Sequence, residues 1–270
     1  VEIVFCKTRA DPEFYRSYTD FWSLVELAGF PWIWLDELEP GRDAVYIVTP
    51  RNGELPGVLP RLQGNRACKF VWWCLERPDE QGSVTRGQPL EDGIDELWLS
   101  DRWLAERHGI EWGPSRFVPL GSHEGLGEPG ADGYRYDWTH MSYINPRRSG
   151  VYSSVPGRVL PNCWNEVRDE GLRATRLMLN VHQDDWPIIE PLRWALAAAY
   201  GLTLVTERVH DPYPLRPNID MVWDDYDGLS RMMSWLLEHS LFGCGPSLRR
   251  RLTQEFEFGR CVKEAVACLG

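Results

Sequence analysis

Lysine is almost missing from this chain. Of its 29 basic residues only Lys7, Lys69 and Lys263 are lysines and the rest are arginines, a skew that fits GC-biased coding before it fits any function. No C-x-x-C pair occurs among the seven cysteines, an odd number in a chain large enough to need no staples. Reduced thiols in a cytoplasmic compartment are therefore expected. Long apolar runs are lacking too. None approaches the roughly 18–20 residues of a membrane-spanning helix, and the opening VEIVFCKTR has no signal-peptide core, so no membrane span is expected. There is no GxxxxGK[ST] loop, no GxGxxG after the first strand, no HExxH and no GxSxG. A nucleotide site would have to be built from strand ends and helix N-termini instead.

What is present is acidic and aromatic. The 270 residues carry 40 acidic side chains and a formal net charge of -11, in an ordinary globular composition of 43% hydrophobic and 26% charged residues. That length exceeds what one core usually organises, so two domains of roughly 100–150 residues are expected. Fourteen tryptophans imply a large core or stacking surfaces. Residues 1–125 hold 13 basic and 21 acidic groups, whereas 126–270 hold 16 and 19, so the first half should repel polyanions.

Apolar runs at 2–6, 31–35, 44–49, 69–75, 95–99 and 116–120 read as buried strands. Between the first two, a helix opens at Asp11-Pro12, stops at Gly29 and places Phe14, Tyr18, Phe21, Trp22, Val25 and Ala28 at helical spacing. Ser100 or Asp101 caps a short helix further on. Strands buried on both faces and interleaved with helices predict a parallel α/β sheet. Residues 121–133, with five glycines and a proline, form the best linker, so the domains are set at 1–124 and 134–270. The second half repeats the pattern with strands at 138–144, 157–160, 176–181, 202–206 and 219–223. Its helices span 187–200, follow Asp227, and run from Pro246 almost to the end with a break near Gly259.

Chemistry concentrates in 176–207. A strand there ends in His182-Gln183-Asp184-Asp185, and the next helix carries Glu190 and Arg193 on one non-apolar face. At the C-terminal edge of an α/β sheet such a carboxylate can accept both hydroxyls of a ribose, while the helix N-terminus favours a diphosphate. The plainer alternative is that Glu190 only complements the helix dipole and pairs with Arg193.

Residues Leu179-Asn180, His182, Glu190-Pro191-Leu192-Arg193, Ala197–Gly201 and Glu207 resemble a block in the donor-binding domain of GT-B glycosyltransferases, of the bacterial and phage type with a glycosyltransferase family 4-like C-terminal domain. The resemblance spans about two thirds of the chain and is strong over 145–210. It implies two Rossmann-like domains with a cleft between them, and a nucleotide sugar, UDP-linked, as co-substrate, without a metal or other cofactor. It also implies Arg147 and Arg148 on the donor diphosphate, His182 and Gln183 near the sugar or diphosphate, and Glu190 on the ribose with Arg193 beside it. The terminal LTQEFEFGRCVKEAV is similar to the helix that such enzymes fold back onto the first domain. One departure stands out: with seven residues intervening before Glu190, the family's paired glutamate is replaced by His182, so retaining or inverting stereochemistry does not carry over.

An inverting transferase needs a base for the acceptor hydroxyl. Asp11, Glu54, Glu76, Asp101 and His123 are the candidates, and Glu76 is preferred because it follows the very apolar strand at 70–75. Asp225-Tyr226-Asp227 is a DxD after a strand, the metal-holding pattern of GT-A transferases, and supports that alternative if Asp227 does not simply cap a helix. The cysteines form no zinc or nucleophile set, and the run Arg249-Arg250-Arg251 reads as a solvated helix start. The acceptor is expected on the first domain. It is a small molecule, a glycan or, as in DNA-modifying phage enzymes, a hydroxymethylated DNA base stacked on Trp32, Trp34, Trp72 or Trp73, in which case the compartment is the host cytoplasm. A non-catalytic nucleotide-sugar-binding module and an epimerase on the same fold are the rivals.

Overall fold

The computed structural model describes residues 1–9, 18–49, 60, 66–75, 93–111, 115–130, 133–163 and 165–269. The chain divides into two compact units, Val1–Leu120 with Gly259–Gly270, and Gly121–Phe258. The glycine-rich stretch 121–133 thus belongs to the second unit, and the last helix to the first.

In the first unit the elements run β1 (Glu2–Lys7), α1 (Thr19–Leu27), β2 (Trp32–Trp34), β3 (Ala44–Val48), β4 (Lys69–Cys74), β5 (Glu96–Leu99), α2 (Arg102–Glu111) and β6 (Ser115–Phe117). The six strands are all parallel, in the order β2-β1-β3-β4-β5-β6. Strand β3 is buried along its whole length, as a strand covered on both faces must be. Aromatic rings fill the core in a chain of edge contacts, Phe5 to Phe21 (5.9 Å), Phe21 to Trp73 (5.8 Å) and Trp73 to Trp98 (5.6 Å). Gly29, at φ +74°, ends α1; the proposed start at Asp11-Pro12 lies outside the described residues.

The second unit holds β7 (Tyr136–Thr139), α3 (Pro146–Tyr152), β8 (Val159–Leu160), α4 (Asn165–Arg173), β9 (Thr175–Asn180), α5 (Pro191–Ala199), β10 (Thr203–Glu207), β11 (Val222–Asp224), α6 (Tyr226–His239) and α7 (Cys244–Arg250). A π-helical turn follows at Arg251–Glu255, and the chain then enters α8 (Phe258–Ala267). Its five strands are parallel in the order β11-β10-β9-β7-β8, the same winding as in the first sheet. Alternate residues of β9 face opposite ways: Leu177, Leu179 and Val181 join a cluster with Leu229 and Met233 of α6, while Met178 joins one with Trp194 and Leu196 of α5. In each sheet the winding reverses direction once, between β1 and β3 and between β7 and β9. Ligands of open α/β sheets bind beyond the carboxyl ends of strands at such a point.

The helix expected over 187–200 begins four residues later. Pro191 disfavours helical geometry at the residue before it, and Glu190 accordingly sits at φ −112°, ψ 84° as the N-cap. Asp184 caps no helix; its carboxylate accepts the Trp186 N–H (2.9 Å) in a local turn. Helices α3 and α4 were not anticipated. The first is seven residues long and is started by Asn145, whose side chain accepts the Arg148 N–H (2.8 Å), with Pro146 at the first position. Helix α4 is mostly polar, so its apolar period is faint.

Helix α8 is bound to the first unit by its own contacts: the Arg116 guanidinium donates to the Cys268 carbonyl (3.1 Å), and the Lys263 ammonium lies 5.8 Å from the Phe30 ring. Among the described residues no helix is long and apolar enough to cross a membrane. The start of the second unit is stitched to its end. The Ser122 N–H donates to Leu252 O (3.0 Å), and Ser122 O accepts the Phe258 N–H (2.9 Å). Gly121 makes this approach feasible: φ is +66°, and a Cβ there would sit 1.9 Å from the Phe256 carbonyl oxygen. Gly121→Ala should therefore destabilise the second unit by about 2 kcal/mol or more, measured as a lowered urea midpoint with native-like far-UV dichroism.

Candidate functional site

The carboxyl ends of β7, β9, β10 and β11 bring together most of the residues singled out in the second half. Arg147, in the first turn of α3, reaches across to the end of β10 and grips Glu207 with both terminal nitrogens (2.5 and 2.7 Å). It also donates to the His182 carbonyl (3.1 Å) and to the exposed Asp185 carboxylate (3.2 Å), and it lies 4.2 Å from the Tyr226 ring, whose hydroxyl donates to Arg147 O (2.8 Å). Its hydrogen bonds to Glu207 raise the Arg147 pKa further above its ordinary value, so its cation is permanent.

Arg148 points the other way. It is 1% exposed, and its guanidinium donates to Val181 O (2.8 Å), Tyr143 O (3.1 Å) and Glu190 (3.0 Å). Burial lowers its pKa, which Glu190 partly offsets. The second Glu190 oxygen lies 2.5 Å from Arg193, which also donates to Asn180 Oδ1 (2.7 Å). Arg148 is thus enclosed among its acceptors, and Glu190 lies between two arginines, with only Oε1 in a hydrogen bond.

His182, directly after the β9–Val181 run, is 3% exposed, and neither ring nitrogen has a hydrogen-bond partner. Its backbone N–H donates to Glu207 (3.1 Å), and Nδ1 stands 3.8 Å from the same carboxylate. Burial lowers the imidazole pKa, with Glu190 and Glu207 pulling the other way. Gln183 is exposed, with its carbonyl accepting from Asn145 Nδ2 (2.8 Å). Beside this cluster lies a cavity of about 320 Å³ lined by Pro187, Glu207, Arg208, His210, Asp225 and Tyr226. Glu207 and Tyr226 are the residues that reading the sequence underrated. A glutamate closing a strand that is otherwise wholly apolar or hydroxylic was a signal in itself, and Tyr226 was hidden inside the DxD.

Asp225 of that DxD is the N-cap position of α6 and pairs with Arg208 (2.9 Å), while Asp227 lies exposed in the first turn. Among the described residues no group of three or more His, Cys, Asp or Glu is placed to hold a metal. Of the candidate bases, Glu76, Asp11 and Glu54 lie outside the described residues. Asp101 is buried and caps α2 through the Leu104 N–H (2.9 Å), and His123, in the second unit, caps a short turn through the Gly125 N–H (3.0 Å). Trp72 and Trp73 are core residues, which removes them as stacking platforms; Trp32 is exposed, with the Lys7 ammonium 3.6 Å from its ring. The Arg249–Arg251 run is less solvated than expected, since Arg249 donates to the Gly127 and Ala199 carbonyls and Arg251 to Pro214 O (2.8 Å).

Removing the Glu190 carboxylate leaves a buried guanidinium without its counter-charge. Glu190→Ala should cost about 3 kcal/mol in chemical denaturation. A buried His182 with a lowered pKa refuses a proton that the unfolded chain accepts near the ordinary histidine value of 6.5. Its contribution is intact above 6.5 and is lost as the pH falls below that value, so urea midpoints should drop from pH 8 to pH 5, and less so in His182→Asn.

No protein-family model matches the chain, and no curated protein matches it by sequence. Solved structures do match in fold. HepE (Alr3699) of Anabaena, in complex with UDP and glucose, gives a TM-score of 0.66 at 9% identity over 99% of both chains. TarM gives 0.60 at 8% identity over 87% of this chain and 56% of its own, and the GtfA/B complex 0.54 at 10% over 94% and 60%. These are GT-B glycosyltransferases, and theirs is the fold of this chain.

Proposed function

We propose that the chain is a glycosyltransferase that moves a sugar from a nucleotide sugar, UDP-linked, to an acceptor hydroxyl. One observation carries this reading: a fold similar end to end to HepE, which is solved with UDP and glucose, places a fixed arginine and a cavity at the carboxyl edge of the second sheet. The second unit takes the donor. Arg147 exchanges its contact with Asp185, which is 98% exposed, for an oxygen of the diphosphate, while Glu207 holds the guanidinium in place. The planar fork of arginine suits that ligand, and its charge stabilises the leaving diphosphate as the glycosidic bond breaks. Arg193 and the exposed Gln183 stand on the same edge. Glu190 keeps the ribose role, since its side chain is 23% exposed against 10% for Glu207, whose two oxygens are both taken by Arg147. No metal is invoked, and the Glu76 base for the acceptor remains a proposal from sequence.

The first unit takes the acceptor. A small molecule or glycan is favoured over a modified DNA base, because two of the four tryptophans proposed for stacking are core residues and the first half is the more acidic. A thermal-shift panel of UDP-, GDP-, ADP- and TDP-sugars tests the donor. One of them should raise the melting midpoint, and Arg147→Ala should weaken that ligand about 10-fold, the effect of losing one charge-assisted pair. A panel without any shift refutes the reading. Stabilisation without transfer or hydrolysis would leave a binding module in its place.

A further inference from the structure

A polar relay at the same sheet edge is not used by that reading. Strand β7 ends at Thr139, and the next residue, His140, is 4% exposed, as is Ser142. Between them Met141 adopts φ +39°, a left-handed geometry uncommon for a residue with a side chain, and the backbone turns so that Ser142 faces the imidazole. The Ser142 N–H donates to His140 Nδ1 (3.4 Å), Ser142 Oγ is 3.3 Å from the same nitrogen, and the Tyr152 hydroxyl is 2.8 Å from Ser142 Oγ. The imidazole lies flat on the Tyr152 ring (centroids 4.5 Å apart, 16° between planes), with Trp138 packed against both.

These bonds fix where the proton sits. A backbone amide can only donate, so Nδ1 is the acceptor and the ring hydrogen of a neutral imidazole is assigned to Nε2. The Ser142 hydroxyl then also donates to Nδ1, and the Tyr152 hydroxyl donates to Ser142. Burial holds the His140 pKa down to about 4, and the cations of Arg193 and Arg148 push the same way, so the ring is neutral at physiological pH. Nε2 makes no hydrogen bond, yet it is not among the wholly enclosed unpaired atoms, where both nitrogens of His182 are found.

We propose that His140 binds the donor substrate, giving its Nε2–H to a phosphate oxygen of the nucleoside diphosphate, with Ser142 and Tyr152 as positioning residues that lock the tautomer. The inference rests on the nucleotide-sugar reading and adds a residue to it. A neutral donor of fixed direction stabilises charge on the leaving group without placing a third cation beside Arg148 and Arg193, and it needs no reorganisation as that charge develops. In the sequence this histidine was one residue inside the strand predicted at 138–144.

Histidine-selective ¹⁵N NMR of the full chain, titrated with UDP, GDP, ADP and TDP, tests it. The expected result is a neutral His140 with its proton on Nε2 at pH 7, whose Nε2 resonance moves when one of the nucleotides binds. His140→Phe, which keeps the stacked ring, should bind that nucleotide at least about 10-fold more weakly, the loss of one hydrogen bond to a charged group. His140→Gln, which restores an N–H donor, should recover most of the affinity. Ser142→Ala keeps the backbone N–H on Nδ1, so the proton should stay on Nε2, while loss of the hydroxyl contact should loosen the ring and weaken binding a few-fold. If a nucleotide binds while the His140 resonance stays still, or while His140→Phe binds as tightly as the parent, the proposal is overturned and the donor site survives. If no nucleotide binds at millimolar concentration, both fall. Should His140→Phe fail to fold, the wild-type titration and His140→Gln decide alone.

Discussion

The carboxyl edge of the second sheet depends on one buried cation. Arg148 joins three segments at once: the end of the β9 run through Val181, the loop before α3 through Tyr143, and the N-cap of α5 through Glu190. A charge in such a place costs several kcal/mol unless it is paired and fully hydrogen-bonded, which is what Glu190 and the two carbonyls supply. Lysine would not serve. Its single ammonium cannot face three acceptors held in a planar fork, and burial would favour its neutral form. With Arg148 and Glu190 fixed to each other, the adjacent Arg147 is the cation with a replaceable partner, and the edge separates into a structural arginine and an exchangeable one.

The strands were legible because they are apolar on both faces. Runs such as 44–49 and 202–206 have no alternation to interpret, and in a chain that also supplies glycine stops and proline starts they leave few other readings. All eleven described strands fall on or within two residues of an apolar run identified in the sequence. The helices were harder. Helix α3 is short and carries Arg147-Arg148-Ser149-Gly150, poor material for an apolar period, and α4 buries few side chains. The π-helical turn at Arg251–Glu255 and the break that follows it were visible only as an interruption near Gly259, eight residues away from where the turn begins.

The site was half legible. Position was recoverable: a polar loop after a buried strand, followed by a helix, belongs at the sheet edge where ligands bind. Partnership was not. Arg147 and Arg148 are adjacent in sequence and identical in chemistry, yet one is at the surface of the site and one in the core, and only the geometry of α3 decides which. The same holds for Glu190 and Glu207, one set between Arg148 and Arg193 and the other taking both terminal nitrogens of Arg147 while it lines the cavity. Long-range pairings such as Arg147 with Glu207, sixty residues apart, leave no local trace.

The scarcity of lysine acquires a use once the units are known. Lys7 and Lys69 lie in the first unit and Lys263 in the stretch Gly259–Gly270 that joins it, so the second unit, from Gly121 to Phe258, contains no lysine at all. Acylating reagents, amine-directed dyes and trypsin-resistant amine tags applied to the side chains will therefore mark one unit and leave the other unmodified. The molecule carries its own chemical label for the first unit, and that label needs no engineered residue to read it.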